Sequence, residues 1–356
     1  MKRICFVPAT SSSNQYVELV RAAIRQAGFD LSEENSLIDV LSADLVHFNW
    51  YEGIPAGSKW KQYLAYIKKM TVLVLLKMLG KEIVFTLHNK AQHEKGGGTL
   101  SAKIMKWLIC NSDKIVIHCE ESRNVLRDIV PEVEENKVIL VPHPNYIGSY
   151  PDKKPYTVYC KRPEETVLLF MGQVRPYKNV ESVLLAANGL AEEKKVRFLI
   201  CGKCASDEYR EKIQKMAKSE KITLDLRFIA DEEIPSLMAL ADVVLLPYSS
   251  QSSLNSGAAY LAFSYGKTVL STRIGTILDF ENKDLVYGYE SGADEKESAQ
   301  NLINAIDLLC CDIQQNPLVT TMKGKELRQI MECEHGICAV AECMKRVYIG
   351  IAGAQI

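Results

Sequence analysis

The sequence predicts a two-domain α/β protein built on parallel sheets, and three observations carry that prediction. Short apolar runs alternate with longer amphipathic stretches along most of the 356 residues. Most of those runs are continuous rather than alternating, as in strands covered on both faces by crossover helices. A 356-residue chain with 47% hydrophobic content also exceeds one ordinary α/β core and can fill two.

In the first half, residues 4–7 read as the opening strand, 16–27 as an amphipathic helix, and 45–48, 82–87, 114–118 and 138–141 as further buried strands. Pro142, His143 and Pro144, followed by a tyrosine- and proline-rich stretch over 146–163, then interrupt the pattern. The expectation is therefore a first domain over 1–150, a linker over 151–165 and a second domain over 166–335. In the second domain strands are expected at 167–171, 196–201, 224–229, 242–247 and 268–271, the third of them alternating. Helices are expected at 180–191, 207–218 and 255–266, with another opening at Asp231, where Glu232 and Glu233 suit the positive first turn.

Parallel sheets bind ligands beyond the carboxyl ends of their strands. Gly172, Gly202, Asp231, Tyr248 and Asn255 all fall at such ends. The most informative of these is the run from Phe170 through Gly172, Arg175 and Lys178 to Asn179. A glycine where a buried strand gives way to a helix lets backbone N–H groups approach an anion, and the helix N-terminus favours negative charge. Arg175 offers a bidentate fork and Lys178 a point charge, a pair suited to a diphosphate. An ordinary surface turn with two solvated cations fits the same residues.

The order strand, Gly172-x-x-Arg175-x-x-Lys178, strand, Cys201-Gly202, then residues 241–248 (Ala-Asp-Val-Val-Leu-Leu-Pro-Tyr), a small-residue helix and residues 265–270 (Tyr-Gly-Lys-Thr-Val-Leu) resembles the donor domain of retaining-type, GT-B-fold glycosyltransferases of group 1, family 4-like. The resemblance implies two Rossmann-like domains facing a central cleft, with residues 336–356 returning to the first domain. It also implies a hexosyltransferase that moves a sugar from a nucleoside diphosphate sugar to a glycan or lipid-linked glycan acceptor in bacterial surface polysaccharide synthesis. Carried over residue by residue, donor contacts fall at Gly172, Arg175, Lys178, Gly202, Ser253, Asn255, Ser256 and Gly257. One departure stands out: many relatives have Glu-x7-Glu where this chain has Ser253 and Leu261. Hydroxyl and amide groups of Ser252, Ser253, Asn255 and Ser256 must then hold the sugar, or activity has been lost. Serine and asparagine are also ordinary helix caps. A non-catalytic sugar-nucleotide-binding subunit and a GT-B-fold sugar-nucleotide epimerase are the alternatives.

Acceptor chemistry is expected at strand ends of the first domain, over 10–14, 49–52 and at His88-Asn89. The resemblance implies that His88 lies near the donor sugar, where a histidine titrating near neutrality can hydrogen-bond a hydroxyl or accept a proton. A satisfied structural histidine is the alternative. Glu94, beside His93 and ahead of Gly96, Gly97 and Gly98, reads as a second candidate base on a loop that orders over acceptor or donor, or as a solvated carboxylate. Neither H-E-x-x-H nor D-x-D spacing occurs, so no metal and no cofactor beyond the donor are expected. Arg175, Lys178 and helix dipoles are left to neutralise the leaving diphosphate.

No signal-peptide pattern is evident after Met1, and eleven cysteines read as reduced thiols, with Cys201-x-x-Cys204 as strand-end packing. A cytoplasmic protein, peripheral on the inner membrane face, is the expectation. The net charge is −1, yet residues 59–114 hold eleven lysines, no arginine and three acids, a local balance of +8. Within this segment Trp60, Tyr63, Leu64, Ile67, Met70, Val74 and Met78 recur at helical spacing beside Lys61, Lys68 and Lys69. That pattern fits contact with an anionic membrane surface, and it fits equally a core-facing helix with a solvated lysine edge. Nucleic acid is not expected, because the cluster lacks the arginines that clamp phosphates.

Overall fold

A computed structural model describes residues 2–11, 15–91 and 98–349. The chain forms two compact units: unit 1 comprises Met1–Pro144, Gln251–Asn255 and Glu334–Ile356, and unit 2 comprises Asn145–Ser250 and Ser256–Cys333.

Unit 1 contains a wholly parallel sheet of β1 (Arg3–Val7), β2 (Asp30–Leu31), β3 (Leu45–Asn49), β4 (Glu82–Thr86), β5 (Lys114–Ile117) and β6 (Val138–Leu140), in the order β2-β1-β3-β4-β5-β6. Helices α1 (Tyr16–Gln26), α2 (Leu37–Ser42), α3 (Lys59–Met78), α4 (Gly98–Asn111) and α5 (Glu121–Ile129) connect the strands. Because β3 is buried at every position, both of its faces need cover. One face packs Phe48, Ile83 and Phe85 against Leu73 and Leu76 of α3 and Ile104, Met105 and Leu108 of α4. The other packs Ile4, Phe6 and Val84 against Val17, Val20 and Ile24 of α1.

Unit 2 repeats the architecture with β7 (Thr166–Met171), β8 (Val196–Cys201), β9 (Ile222–Asp225), β10 (Val243–Leu246), β11 (Thr268–Thr272) and β12 (Tyr287–Tyr289), all parallel, in the order β12-β11-β10-β7-β8-β9. Its helices are α6 (Val180–Gly189), α7 (Asp207–Met216), α8 (Ile234–Leu240), α9 (Gly257–Ser264), α10 (Gly275–Glu281), α11 (Glu295–Gln315) and α12 (Val319–Glu334). A last helix, α13 (Ile337–Ile349), joins unit 1 through α1: Val340, Met344 and Val347 enter its core, and Tyr348 Oη lies 2.6 Å from His47 Nδ1.

The structure departs from the sequence reading at three places. The chain changes unit at Pro144–Asn145 rather than at 150, because Asn145 Nδ2 donates to Met331 O at 2.7 Å and Tyr146 N to Ser264 Oγ at 2.9 Å. Residues 151–165 are no free linker, since Tyr156 is buried and donates through Oη to Asp225 Oδ2 at 3.1 Å. The alternating strand expected at 224–229 ends at Asp225, where Arg227 leaves the sheet to form a fork with Glu233 at 2.7 and 2.9 Å and Phe228 stays exposed.

Candidate functional site

In unit 2 the winding direction reverses between β7 and β10, the point at which open parallel sheets leave a crevice beyond their strands. The loop leaving β7 carries Gly172 (φ +136°), and the loop leaving β8 carries Gly202 (φ +141°). A methyl group on Gly202 would lie 1.8 Å from Gly172 O, so backbone against backbone explains that glycine. On Gly172 a methyl would lie 2.9 Å from Lys178 Nζ, which puts the ammonium against the strand exit.

Arg175 is extended (φ −130°, ψ 153°) and precedes the short turn Pro176–Lys178. Asn179, in a left-handed conformation (φ 49°, ψ 41°), then turns the chain into α6. Lys178 Nζ lies 5.2 Å from the centre of the Tyr248 ring and 5.8 Å from that of Phe170. Ser249 N donates to Tyr177 O at 3.2 Å, holding the loop after β10 against the loop after β7. Burial lowers the Lys178 pKa, and the nearby Arg175 charge lowers it further. Among the described residues no Asp or Glu acts on Lys178. A cation held on aromatic faces at a strand exit, with no carboxylate against it among the described residues, suits an incoming anion.

Residues 251–255 group with unit 1, so Ser253 and Asn255 are not part of a continuous 166–335 domain. Ser253 is buried and bridges antiparallel to Asn89. Asn255 Nδ2 donates to the carbonyls of His88 at 3.1 Å and Leu87 at 3.3 Å, while its buried Oδ1 makes no hydrogen bond. Ser256 stays with unit 2 and caps α9, its Oγ accepting from Ala259 N at 3.2 Å, and Gly257 opens that helix. Leu261, the other position lacking a glutamate, is buried in α9.

Unit 1 has its own reversal, between β1 and β3. Here His88 Nε2–H donates to Asn49 Oδ1 at 3.0 Å, and Asn49 Nδ2 donates to Val7 O at 3.3 Å, an arrangement that assigns the imidazole proton to Nε2. Nδ1 is then the acceptor, and among the described residues it makes no hydrogen bond. Trp50, held at φ 52°, stacks on the ring at 4.0 Å between centroids and 17° from parallel, while Tyr16 meets it edge-on at 5.1 Å. Tyr16 Oη donates to His118 Nε2 at 2.8 Å, and His118 Nδ1–H donates to Val141 O at 2.8 Å.

Burial, reinforced by the charges of the neighbouring histidines, holds His88 and His143 well below the ordinary imidazole range; burial brings His118 to about 4 and His47 to about 3. Burial thus holds His88 neutral, which departs from the expectation that it titrates near neutrality. Glu94 lies outside the described residues, as do 12–14 of the loop after β1, and Gly98 begins α4.

The sequence offered no reason to single out Glu52 from the 49–52 segment. It is buried, its Oε2 makes no hydrogen bond, and burial raises its pKa to about 6. Lys69 holds the same loop by donating to Tyr51 O at 2.8 Å and Gly53 O at 2.6 Å. Cys201 and Cys204 are both buried, and among the described residues no cluster of histidine, cysteine and carboxylate ligands forms.

Two parallel α/β units, each with polar and charged groups gathered where its winding reverses, make up the GT-B fold. Solved structures agree on the fold. Sucrose-phosphate synthase from Thermosynechococcus elongatus matches over 100% of both chains with a TM-score of 0.72 at 15% identity. HepE of Anabaena, solved with UDP and glucose, covers 98% of this chain and 100% of its own with a TM-score of 0.67 at 13% identity. Residues 158–319, a little under half of the chain, match the family described as glycosyl transferases group 1. The GDP-mannose:glycolipid 4-beta-D-mannosyltransferase of Xanthomonas campestris pv. campestris is 26% identical over 234 residues, 64% of this chain and 61% of that protein. The match thus spans about three fifths of the length of the curated relatives.

Proposed function

We propose that the chain transfers a hexosyl group from a nucleoside diphosphate sugar to a glycan or lipid-linked glycan acceptor, in the building of a bacterial surface polysaccharide. The observation that carries this reading is Lys178: an ammonium seated at the β7 exit between Gly172 and Tyr248, without a carboxylate partner among the described residues. A diphosphate supplies the missing charge, with Arg175 beside it. The mannosyltransferase relative supports a GDP-hexose donor and a glycolipid acceptor, and HepE supports a UDP-hexose, so these are the two donors to test first.

In unit 1 the acceptor at His88 Nδ1, to which no described residue donates, suits a sugar hydroxyl, with Asn49 and Trp50 fixing the ring plane. Metal-independent transfer, without a cofactor beyond the donor, is part of the proposal, the leaving phosphates being met by Lys178, Arg175 and backbone dipoles. So is a cytoplasmic location, peripheral on the inner membrane face. No helix among the described residues is long and apolar enough to cross a membrane.

Calorimetric titration with GDP, UDP and their hexoses tests the donor site. Arg175→Ala and Lys178→Ala should each weaken nucleotide binding by roughly 1.5 to 3 kcal/mol, the range for hydrogen bonds to charged groups, with the melting temperature little changed. Unchanged affinity in both variants would overturn the assignment. Product formation that survives a chelator supports metal independence; product only with an added divalent ion refutes it.

A further inference from the structure

Helix α3 has two apolar faces, and only one of them is used by the core. On an ideal helix, with 100° per residue, Leu73 and Leu76 lie within about 40° of one another's bisector on the inner side, and both are fully buried. The opposite side carries Trp60, Leu64, Ile67, Val74 and Met78 within about 40° of a single line, with Tyr63 and Leu75 about 60° from it. All seven are exposed, Trp60 at 68% and Met78 at 77%. The apolar repeat noticed in the sequence is therefore mostly the outward face of the helix. Met70, half-buried against the core, is the exception.

The stripe runs the 20-residue length of α3, about 30 Å at 1.5 Å per residue. Lys61 and Lys68 flank it about 80 to 100° to one side, and Lys59 and Lys77 about 100° to the other. Lys77 pairs with Asp113 at 3.3 Å, whereas Lys59, Lys61 and Lys68 are exposed, and α3 contains no acid at all. An exposed apolar strip bordered by cations matches the cross-section of an anionic bilayer surface, apolar below and negatively charged at headgroup level. A water-facing helix has no use for seven large exposed apolar side chains on one face.

We infer that the outer face of α3 is a docking surface for an anionic lipid bilayer, with the helix lying in the membrane plane, Trp60, Ile67, Val74 and Met78 inserted, and Lys59, Lys61 and Lys68 at the headgroups. The inference deepens the lipid-linked acceptor reading above. Vesicle binding is measured without any glycosyl transfer, so the failure of either reading can be told from failure of the other.

The test is sedimentation of the full chain with phosphatidylcholine vesicles, with and without phosphatidylglycerol, across a salt series. The wild-type chain should pellet with anionic vesicles at low salt, release as salt rises, and bind neutral vesicles far less well. Trp60 emission should shift to the blue on binding, with Trp60→Phe as the control for the other two tryptophans. Each lysine lost should weaken binding about fivefold, so Lys61→Glu with Lys68→Glu should cost ~25-fold or more. Ile67→Asp with Val74→Asp should abolish insertion. Both pairs replace exposed residues and should leave the melting temperature and nucleotide binding unchanged. A wild-type chain that stays in the supernatant with strongly anionic vesicles at low salt overturns the inference. So does sedimentation velocity showing a dimer that the Ile67→Asp, Val74→Asp pair disperses, because the face would then bind a second copy.

Discussion

The imidazole of His88 lies flat on the indole of Trp50, 4.0 Å between ring centroids, while Asn49 Oδ1 accepts a hydrogen bond from its Nε2–H. Adjacent residues at the end of one strand thus fix both the plane and the tautomer of a histidine at the end of the next. The left-handed backbone of Trp50 is what turns its side chain onto the ring, a strained conformation that packing against His88 helps to hold. Pinned in this way, the neutral imidazole presents Nδ1 as an acceptor of fixed direction.

If His88 meets the reacting sugar as proposed, His88→Ala should reduce turnover far more than donor affinity, since such a positioned hydrogen bond counts most in the transition state. Because its pKa is held well below the ordinary value, the pH profile of kcat should show no His88 ionisation near neutrality. Steady-state kinetics of the wild-type chain and His88→Gln decide it. A limb near pH 6.5 that vanishes in the variant would show that His88 titrates as a base after all.

Gly202→Ala should be among the most damaging single-methyl changes in unit 2. The added carbon would sit 1.8 Å from Gly172 O, backbone on backbone, at a φ of +141° that side chains rarely adopt. A loss above about 3 kcal/mol is expected, which is large for a substitution of this size. Denaturant unfolding measures it, and a loss under about 1 kcal/mol would mean that the two strand exits separate easily.

Much of this was legible in the sequence because it is local. Continuous apolar runs located β7 and β8 within a residue, and Gly172, Arg175 and Lys178 stood out because a strand exit is written in consecutive residues. What escaped was long-range. No local pattern shows that Gln251–Asn255 leaves one unit to bond the exit of β4 in the other, or that His47, His88, His118 and His143 gather near Tyr16 and Tyr348 from four separate segments. Periodicity found the apolar repeat of α3 but not its direction, because a helix with two apolar faces gives the same repeat whichever face the core takes.

That histidine cluster should make unit 1 sensitive to acid. His47, His88, His118 and His143 are all buried with pKa values depressed mainly by burial, while the unfolded chain binds protons at about 6.5. Their contribution is complete above pH 6.5 and is lost as pH falls toward the folded values, about 4 for His118 and about 3 for His47. Each uncharged histidine removes ~1.4 kcal/mol of stability per pH unit on the way down. Unfolding free energy measured between pH 7 and 5 should fall steeply, and His47→Gln should flatten the slope by about one proton. A slope unchanged in that variant would mean that His47 is charged in the folded state.

Glu52 works in the opposite direction. Its carboxyl is buried with Oε2 unpaired, and its folded pKa of about 6 lies above the ordinary 4.5 despite the nearby Lys69. The folded protein therefore holds this proton more tightly than the unfolded chain does, so the favourable term is present below pH 4.5 and is lost as pH rises through 6. Above that the buried carboxylate costs about 2 kcal/mol. Glu52→Gln keeps the shape without the charge, and Lys69 keeps its bonds to Tyr51 O and Gly53 O. The variant should be more stable than wild type by about that amount at pH 7.5 and nearly equal to it at pH 4. Denaturant unfolding at the two pH values distinguishes this from a salt bridge: if Glu52→Gln destabilises at pH 7.5, attraction to Lys69 outweighs burial and the carboxylate supports the fold.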